Sequence, residues 1–136
     1  IVRRSAVDVA RKLREHGIAP SAQRVAIAAS VLEASDHPTA DQVLARARAR
    51  LPQLSRATTY ATLQLFVERG LLRKLALTEG RIVFDPRTDH HHHLIDDEGL
   101  LHDLPSDALR IEGLDRLEGI EVDEASVIVR GRRVSS

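Results

Sequence analysis

The sequence predicts an α+β protein: an N-terminal winged helix-turn-helix over residues 1–85, then a small C-terminal α/β domain over residues 86–136. Three observations carry this reading. Four segments with helical apolar spacing, three of them opened by capping residues, precede a hairpin-like alternation. Beyond residue 85 the pattern changes to short, β-branched runs. The charge also changes sign along the chain.

Each element follows from local signals. Val2, Ala6, Val9 and Leu13 recur three to four apart, predicting a helix from about Val2 to His16 that Gly17 stops. Ser21 is placed to cap a second helix carrying Val25, Ile27, Ala28, Val31 and Leu32. Thr39 caps a third, "ADQVLARARARL", ending before Pro52. Ser55 caps a fourth, "RATTYATLQLFVER", closed by Gly70. Then "LLRKLAL", the turn "TEG" and "RIVFD" alternate as a β-hairpin. Helices followed by a β-ribbon form the pattern of a winged helix-turn-helix, whose last helix enters the major groove.

The second half predicts strands at "HHHHLID" and "GLLHDL" around the acidic turn Asp97-Glu98-Gly99. A third is expected within "IEVDEASVIVRGR", where Val127, Ile128 and Val129 have strong β propensity. Pro105, Gly113 and Gly119 limit any helix between them to a short one. About 50 residues make a marginal core, so this half is expected to dimerise through its strands or to bind metal.

Composition excludes several classes. With no cysteine, disulfides, thiolate catalysis and thiolate-bound zinc are ruled out. The only aromatics are Tyr60, Phe66 and Phe84, too few for a base-stacking single-strand binder. No apolar run is long enough to span a membrane, and "IVRRSAVDVARKL" lacks a signal-peptide core, so a cytoplasmic protein without membrane contact is expected. The net charge of zero conceals a split. Residues 1–80 carry 13 basic against 7 acidic side chains, a net +6, and residues 81–136 carry the opposite balance, −6. A nucleic-acid-facing half joined to an acidic half fits this asymmetry; two solvated surfaces of opposite sign also would.

The histidines sharpen the choice. His90, His91, His92 and His93 are consecutive, and on a strand His91 and His93 share one face while His90 and His92 share the other. One run can therefore feed two sites. Imidazole suits Zn, Mn, Fe and Cu, and Asp85, Asp89, Asp96 and Asp103 supply oxygen donors nearby in sequence. Solvated edge-strand decoration is the competing explanation for such a run. His37, beside Pro38, reads alone as a turn residue, and His16 as a charge suited to a helix C-terminus.

"PSAQRVAI", "HPTADQVLARA", "SRATTYATLQLFVERGLLRK", "RIVFD" and "DHHHHLIDDEG" occur in an order and spacing that resembles the Fur superfamily of bacterial metal-responsive regulators. The resemblance implies a homodimer with an N-terminal winged helix and a C-terminal dimerisation domain. It further implies a regulatory metal site at the junction of the two domains, with His37, Asp85, His91, His93 and Asp103 as ligands. Fe(II) or Mn(II) is the expected ion, and Zn(II) also suits the donors. Aspartates at 85 and 103 resemble the peroxide-sensing PerR branch, in which an oxidised ligand histidine, here His37 or His91, releases metal and DNA. The C-terminal half is also similar to the iron- and haem-responsive Irr branch, for which haem would be a ligand.

Three departures from the family pattern stand out. "DDEG" and "GRRVSS" occupy the places of paired cysteines, so no four-cysteine structural zinc can form. A second family metal site would use His90 and His92, but Arg110 and Ala125 stand near its other ligand positions, leaving Asp123 or Glu124 to substitute. Ala19 replaces a basic minor-groove residue, shifting DNA affinity toward Arg24 and the fourth helix. On that helix Arg56, Thr58, Thr59 and Tyr60 lie in the first turns, where base edges are reached, while Arg24 and Arg73 suit phosphates. The expected partner is an inverted-repeat operator in double-stranded DNA, and the expected function is a metal-dependent, non-enzymatic repressor of peroxide-stress or iron-homeostasis genes. A metallohydrolase would also collect His and Asp ligands. It would need a general base as well, and no H-E-x-x-H motif is present. A metal buffer would explain the histidines but not the basic half.

Overall fold

Three of the four helices start at the caps that the sequence predicts. The structure, a computed structural model, describes residues 6–33, 36–77, 80–88, 92–132 and 134. Its helices are α1 (Ala6–Glu15), α2 (Ala22–Leu32), α3 (Ala40–Ala47) and α4 (Arg56–Glu68). Ser21 Oγ accepts the Arg24 amide at 3.2 Å, and Ser55 Oγ accepts the Thr58 amide at 3.0 Å. Thr39 forms a full capping box with Gln42: each residue's side chain accepts the other's backbone N–H, at 3.2 and 2.9 Å. Residues 2–5, which the first helix was expected to include, lie outside the described residues.

Two helix ends share one device. Gly17 and Gly70 have φ of 72° and 75°, a left-handed conformation that glycine adopts without a Cβ clash. After α1 the Gly17 and Ile18 amides bond to Arg14 and Leu13 carbonyls; after α4 the Gly70 and Leu71 amides bond to Val67 and Phe66 carbonyls. This is the Schellman arrangement, with Leu71 and Phe66 both buried as its apolar contact. The third helix is shorter than "ADQVLARARARL" implied. It ends at Ala47, and the Ala49 and Arg50 amides turn to carbonyls three residues back. Leu51 precedes proline, which disfavours helical backbone there.

The chain divides into two compact units, residues 1–88 and 89–136. In the first, Val9 and Leu13 of α1, Ile27 and Val31 of α2, Val43 of α3 and Leu63 and Phe66 of α4 form a continuous core. The residues Ala26, Ile27, Ala28 and Ala29 are all buried, so α2 presents apolar atoms all round and runs through the middle of the unit. The strands β1 (Arg73–Ala76) and β2 (Ile82–Asp85) pair antiparallel, with Arg73 opposite Asp85, which is the hairpin read from the alternation. The β2 strand is held to the loop before α3 by the Phe84 amide, which donates to Pro38 O at 2.9 Å.

The second unit is β-rich. Its strands β3 (His92–Ile95), β4 (Leu101–Leu104) and β5 (Ile128–Arg130) form one sheet in the order β4-β3-β5, antiparallel between β3 and β4 and parallel between β3 and β5. Two expectations are corrected here. The α/β description of this half fails, because its only helical piece among the described residues is the 3-10 turn Leu114–Arg116. That turn opens on Gly113 at φ 91°, and the glycines expected to shorten a helix leave no length for one. The strand expected from "IEVDEASVIVRGR" is confined to three residues, Ile128, Val129 and Arg130, which pair in register with His93, Leu94 and Ile95 of β3. No helix among the described residues is long and apolar enough to cross a membrane.

Candidate metal centre

Two imidazole–carboxylate pairs stand out, one in each unit. In the helical unit, His37 sits in the loop before α3 and Asp85 at the end of β2. The His37 Nε2 lies 3.2 Å from Asp85 Oδ2, with the side chains 6% and 1% exposed. Such burial of a carboxylate is costly without partners, and the partners of Asp85 include this imidazole and the Arg87 amide, which donates to Oδ1 at 2.9 Å. The His37 loop is itself fastened on both sides. Arg46 of α3 grips Asp36 through two bonds of 2.7 and 3.0 Å, and Pro38 accepts from β2. The Arg46 guanidinium holds the Asp36 carboxyl below its ordinary range.

In the β-rich unit, His93 and Asp103 are direct cross-strand partners on β3 and β4. Their side chains leave the same face, placing His93 Nε2 3.4 Å from Asp103 Oδ1. His93 is 3% exposed and Asp103 23%. Four residues expected as ligands thus form two pairs, each joining a nitrogen donor to an oxygen donor. His91 lies outside the described residues, as does His90.

The second expected site loses a member. His92 faces away from His93, buried, and its Nδ1 accepts the Val127 amide at 3.0 Å while the His93 amide donates to Val127 O at 3.1 Å. Accepting at Nδ1 puts the proton of the neutral ring on Nε2, so neither nitrogen offers a lone pair to a metal while that bond stands. His92 is therefore a clasp between β3 and the chain entering β5. Asp123 and Glu124 are exposed. Another histidine, His102, pairs with Asp96: Nε2 and Oδ2 lie 2.7 Å apart. The other oxygen of Asp96 accepts the Glu98 and Leu100 amides at 2.9 Å, forming the turn between β3 and β4. Above all His102, and then these amides, hold the Asp96 carboxyl below its ordinary range. An i, i+6 spacing across an acidic turn was the available signal for this pair. His16 follows the end of α1, with Nδ1 3.0 Å from Lys12 O.

The residues expected to meet DNA divide in two. Arg56 and Tyr60 project from the first turns of α4, with Tyr60 44% exposed. Thr58 shares the cap, accepting from Ser55 Oγ at 2.9 Å. Arg24 reaches back to Ala19 O at 2.8 Å, and Arg73 begins β1. Thr59 is the correction: it is 0% exposed, with its hydroxyl donating to Ser55 O at 2.9 Å, because the position lies on the face of α4 that packs inward.

Comparison with known proteins agrees with this architecture. Residues 15–129 match the Ferric uptake regulator family. The chain is 32% identical over 124 residues to the peroxide operon regulator of Bacillus subtilis, covering 90% of this chain and 79% of that protein. It is 32% identical over 83 residues to the peroxide-responsive repressor PerR of Staphylococcus epidermidis, covering 61% of this chain and 55% of that protein. The ferric uptake regulator of Helicobacter pylori superposes with a TM-score of 0.72 at 12% identity, covering 96% of this chain and 93% of its own. The peroxide stress regulator of Campylobacter jejuni gives 0.63 at 22% identity over 92% and 93%. A family match over most of the chain, with a relative of this identity and coverage, means that this protein belongs to the ferric uptake regulator family.

Proposed function

We propose that the chain is a dimeric, metal-dependent transcriptional repressor that binds an inverted-repeat operator through a winged helix-turn-helix built from α1–α4 and the β1–β2 hairpin. The observation that carries this reading is the pair of His–Asp couples, His37 with Asp85 in one unit and His93 with Asp103 in the other. Two donors from one unit make a weak site. Four or five, with His91 included, make the N/O set that Fe(II), Mn(II) or Zn(II) prefers. Ligands drawn from both units let one ion select the arrangement in which the basic unit engages DNA. Imidazole and carboxylate bind metals only when deprotonated at the ligating atom, so affinity should fall as pH is lowered.

Arg24, Arg56, Thr58, Tyr60 and Arg73 form the proposed DNA-facing set. Exposed Leu117, Ile120, Val122 and Ile128, in a unit with few buried apolar residues, support association of two copies. Gel-shift binding of Mn(II)-loaded protein to a duplex enriched from a random pool, abolished by chelator and by His37→Ala, is the expected result. DNA binding indifferent to both would refute the regulatory reading.

The relatives named for peroxide favour that signal over iron or haem. Fe(II) held by these donors would supply the redox chemistry by which hydrogen peroxide adds one oxygen to a ligand imidazole, the other oxygen leaving as water. Loss of His37 or His91 as a donor then loosens the site. Mass spectrometry should find an added oxygen on His37 or His91 after peroxide treatment of the Fe(II) form, together with release of DNA. Unmodified protein that stays on DNA would assign the chain to iron sensing instead.

A further inference from the structure

The proposed DNA-facing end of α4 carries a contact that no sequence motif announces. Asp41, in the first turn of α3, stands against it across the helix pair. Its Oδ1 accepts the Tyr60 hydroxyl at 2.9 Å and Arg56 Nη1 at 2.7 Å. The same Nη1 also donates to the Tyr60 oxygen at 3.3 Å, and the guanidinium carbon lies 5.7 Å from the Tyr60 ring centroid. All of this occurs at the surface: the Arg56 and Asp41 side chains are 64% and 60% exposed.

We propose that Asp41 sets the strength of DNA binding: it is a carboxylate that occupies Arg56 in the free protein and must yield it before Arg56 can engage a duplex. The inference rests on the DNA-binding reading of α4. Competition between contacts of different strength supplies the physical reason. An exposed ion pair is worth at most about fivefold in an equilibrium constant, and Arg56 uses a single nitrogen in it. By contrast Arg46 grips Asp36 with two. A bidentate guanine contact discriminates by about ten- to a hundredfold, enough to displace Asp41. A lone phosphate contact gains about what the ion pair loses, so on arbitrary sequence Arg56 stays with Asp41 and adds little.

The Tyr60 hydroxyl is held as a donor toward Asp41, which turns its oxygen toward Arg56 and keeps the two side chains registered. Asp41 beside it raises the phenol above its ordinary ionisation range. Tyr60 is the only tyrosine, and the chain has no tryptophan. Phenolate absorbance therefore reports this contact without interference.

The test compares wild type, Asp41→Asn and Asp41→Glu, each Mn(II)-loaded, on a duplex enriched by the wild-type protein and on the unselected random pool. Asp41→Asn should bind both duplexes about two- to fivefold more tightly. Its salt dependence on the pool should steepen by about one phosphate contact, and the Tyr60 phenol should titrate at lower pH. Asp41→Glu should restore wild-type affinity. Unchanged pool affinity and salt slope in Asp41→Asn would overturn the proposal, as would equal weakening on both duplexes. A wild-type protein that enriches no duplex, or an Arg56→Ala variant that binds like wild type, would instead remove the DNA-binding reading beneath it.

Discussion

At the scale of single residues, burial and hydrogen-bond direction separate side chains that share a sequence context. Thr58 and Thr59 are neighbours on α4, yet only Thr59 is fully buried. The Ser55 carbonyl that receives its hydroxyl also accepts its amide at 3.1 Å, so removing the hydroxyl orphans nothing. Thr59→Val should therefore change stability by less than about 1 kcal/mol and leave DNA affinity intact; a tenfold loss of DNA binding without unfolding would contradict the inward placement. His92 differs, because the Val127 amide depends on it. His92→Ala should cost about 2 kcal/mol in denaturant unfolding with metal stoichiometry unchanged. A lost metal equivalent in that variant would restore the second site.

Elements show which local signals are strong enough to act alone. Ser21, Thr39, Ser55, Gly17 and Gly70 bound helices through bonds spanning three to five residues, and each could be read from spacing. At Gly70 an added Cβ would meet nothing within 4 Å, so the cost of Gly70→Ala is that of the backbone conformation alone. About 1–2 kcal/mol is expected, read as a lower midpoint in urea. The β3–β4 turn carries a pH prediction. The Asp96 carboxyl is lowered in the folded state, so its contribution is fully present above the ordinary carboxylate range near pH 4 and disappears as pH falls through the folded value. Asp96→Ala should lower the thermal midpoint at neutral pH and converge with wild type in strong acid. A difference that persists there would mean the turn depends on something other than ionised Asp96.

For the whole molecule, the question is whether one ion draws on both units. Metal at a hundredfold excess over its dissociation constant stabilises the form that binds it by about 2.7 kcal/mol. If His37, Asp85, His93 and Asp103 serve one ion, Asp103→Asn and His37→Ala should each abolish most of the Mn(II)-induced rise in melting temperature. Retention of half the effect in each variant would indicate separate, weaker sites. The +6 charge on residues 1–80 also predicts a steep salt dependence of DNA binding, since each neutralised phosphate releases counterions.

Much of this protein was legible from its sequence because the signals are short-range. Caps, helix-ending glycines, the hairpin and the opposite facing of His92 and His93 follow from backbone hydrogen bonding and side-chain alternation over a few residues. Donor types were legible too, since imidazole and carboxylate are chosen by what metals accept. Pairing was decided by tertiary structure. His37 meets Asp85 across 48 residues, Val127 meets His92 across 35, and Tyr60 meets Asp41 across 19. Such distances are set by how helices and strands pack, through contacts that no local pattern encodes. Packing turned Thr59 inward, made His92 a backbone clasp, and brought a carboxylate against the arginine expected to read DNA.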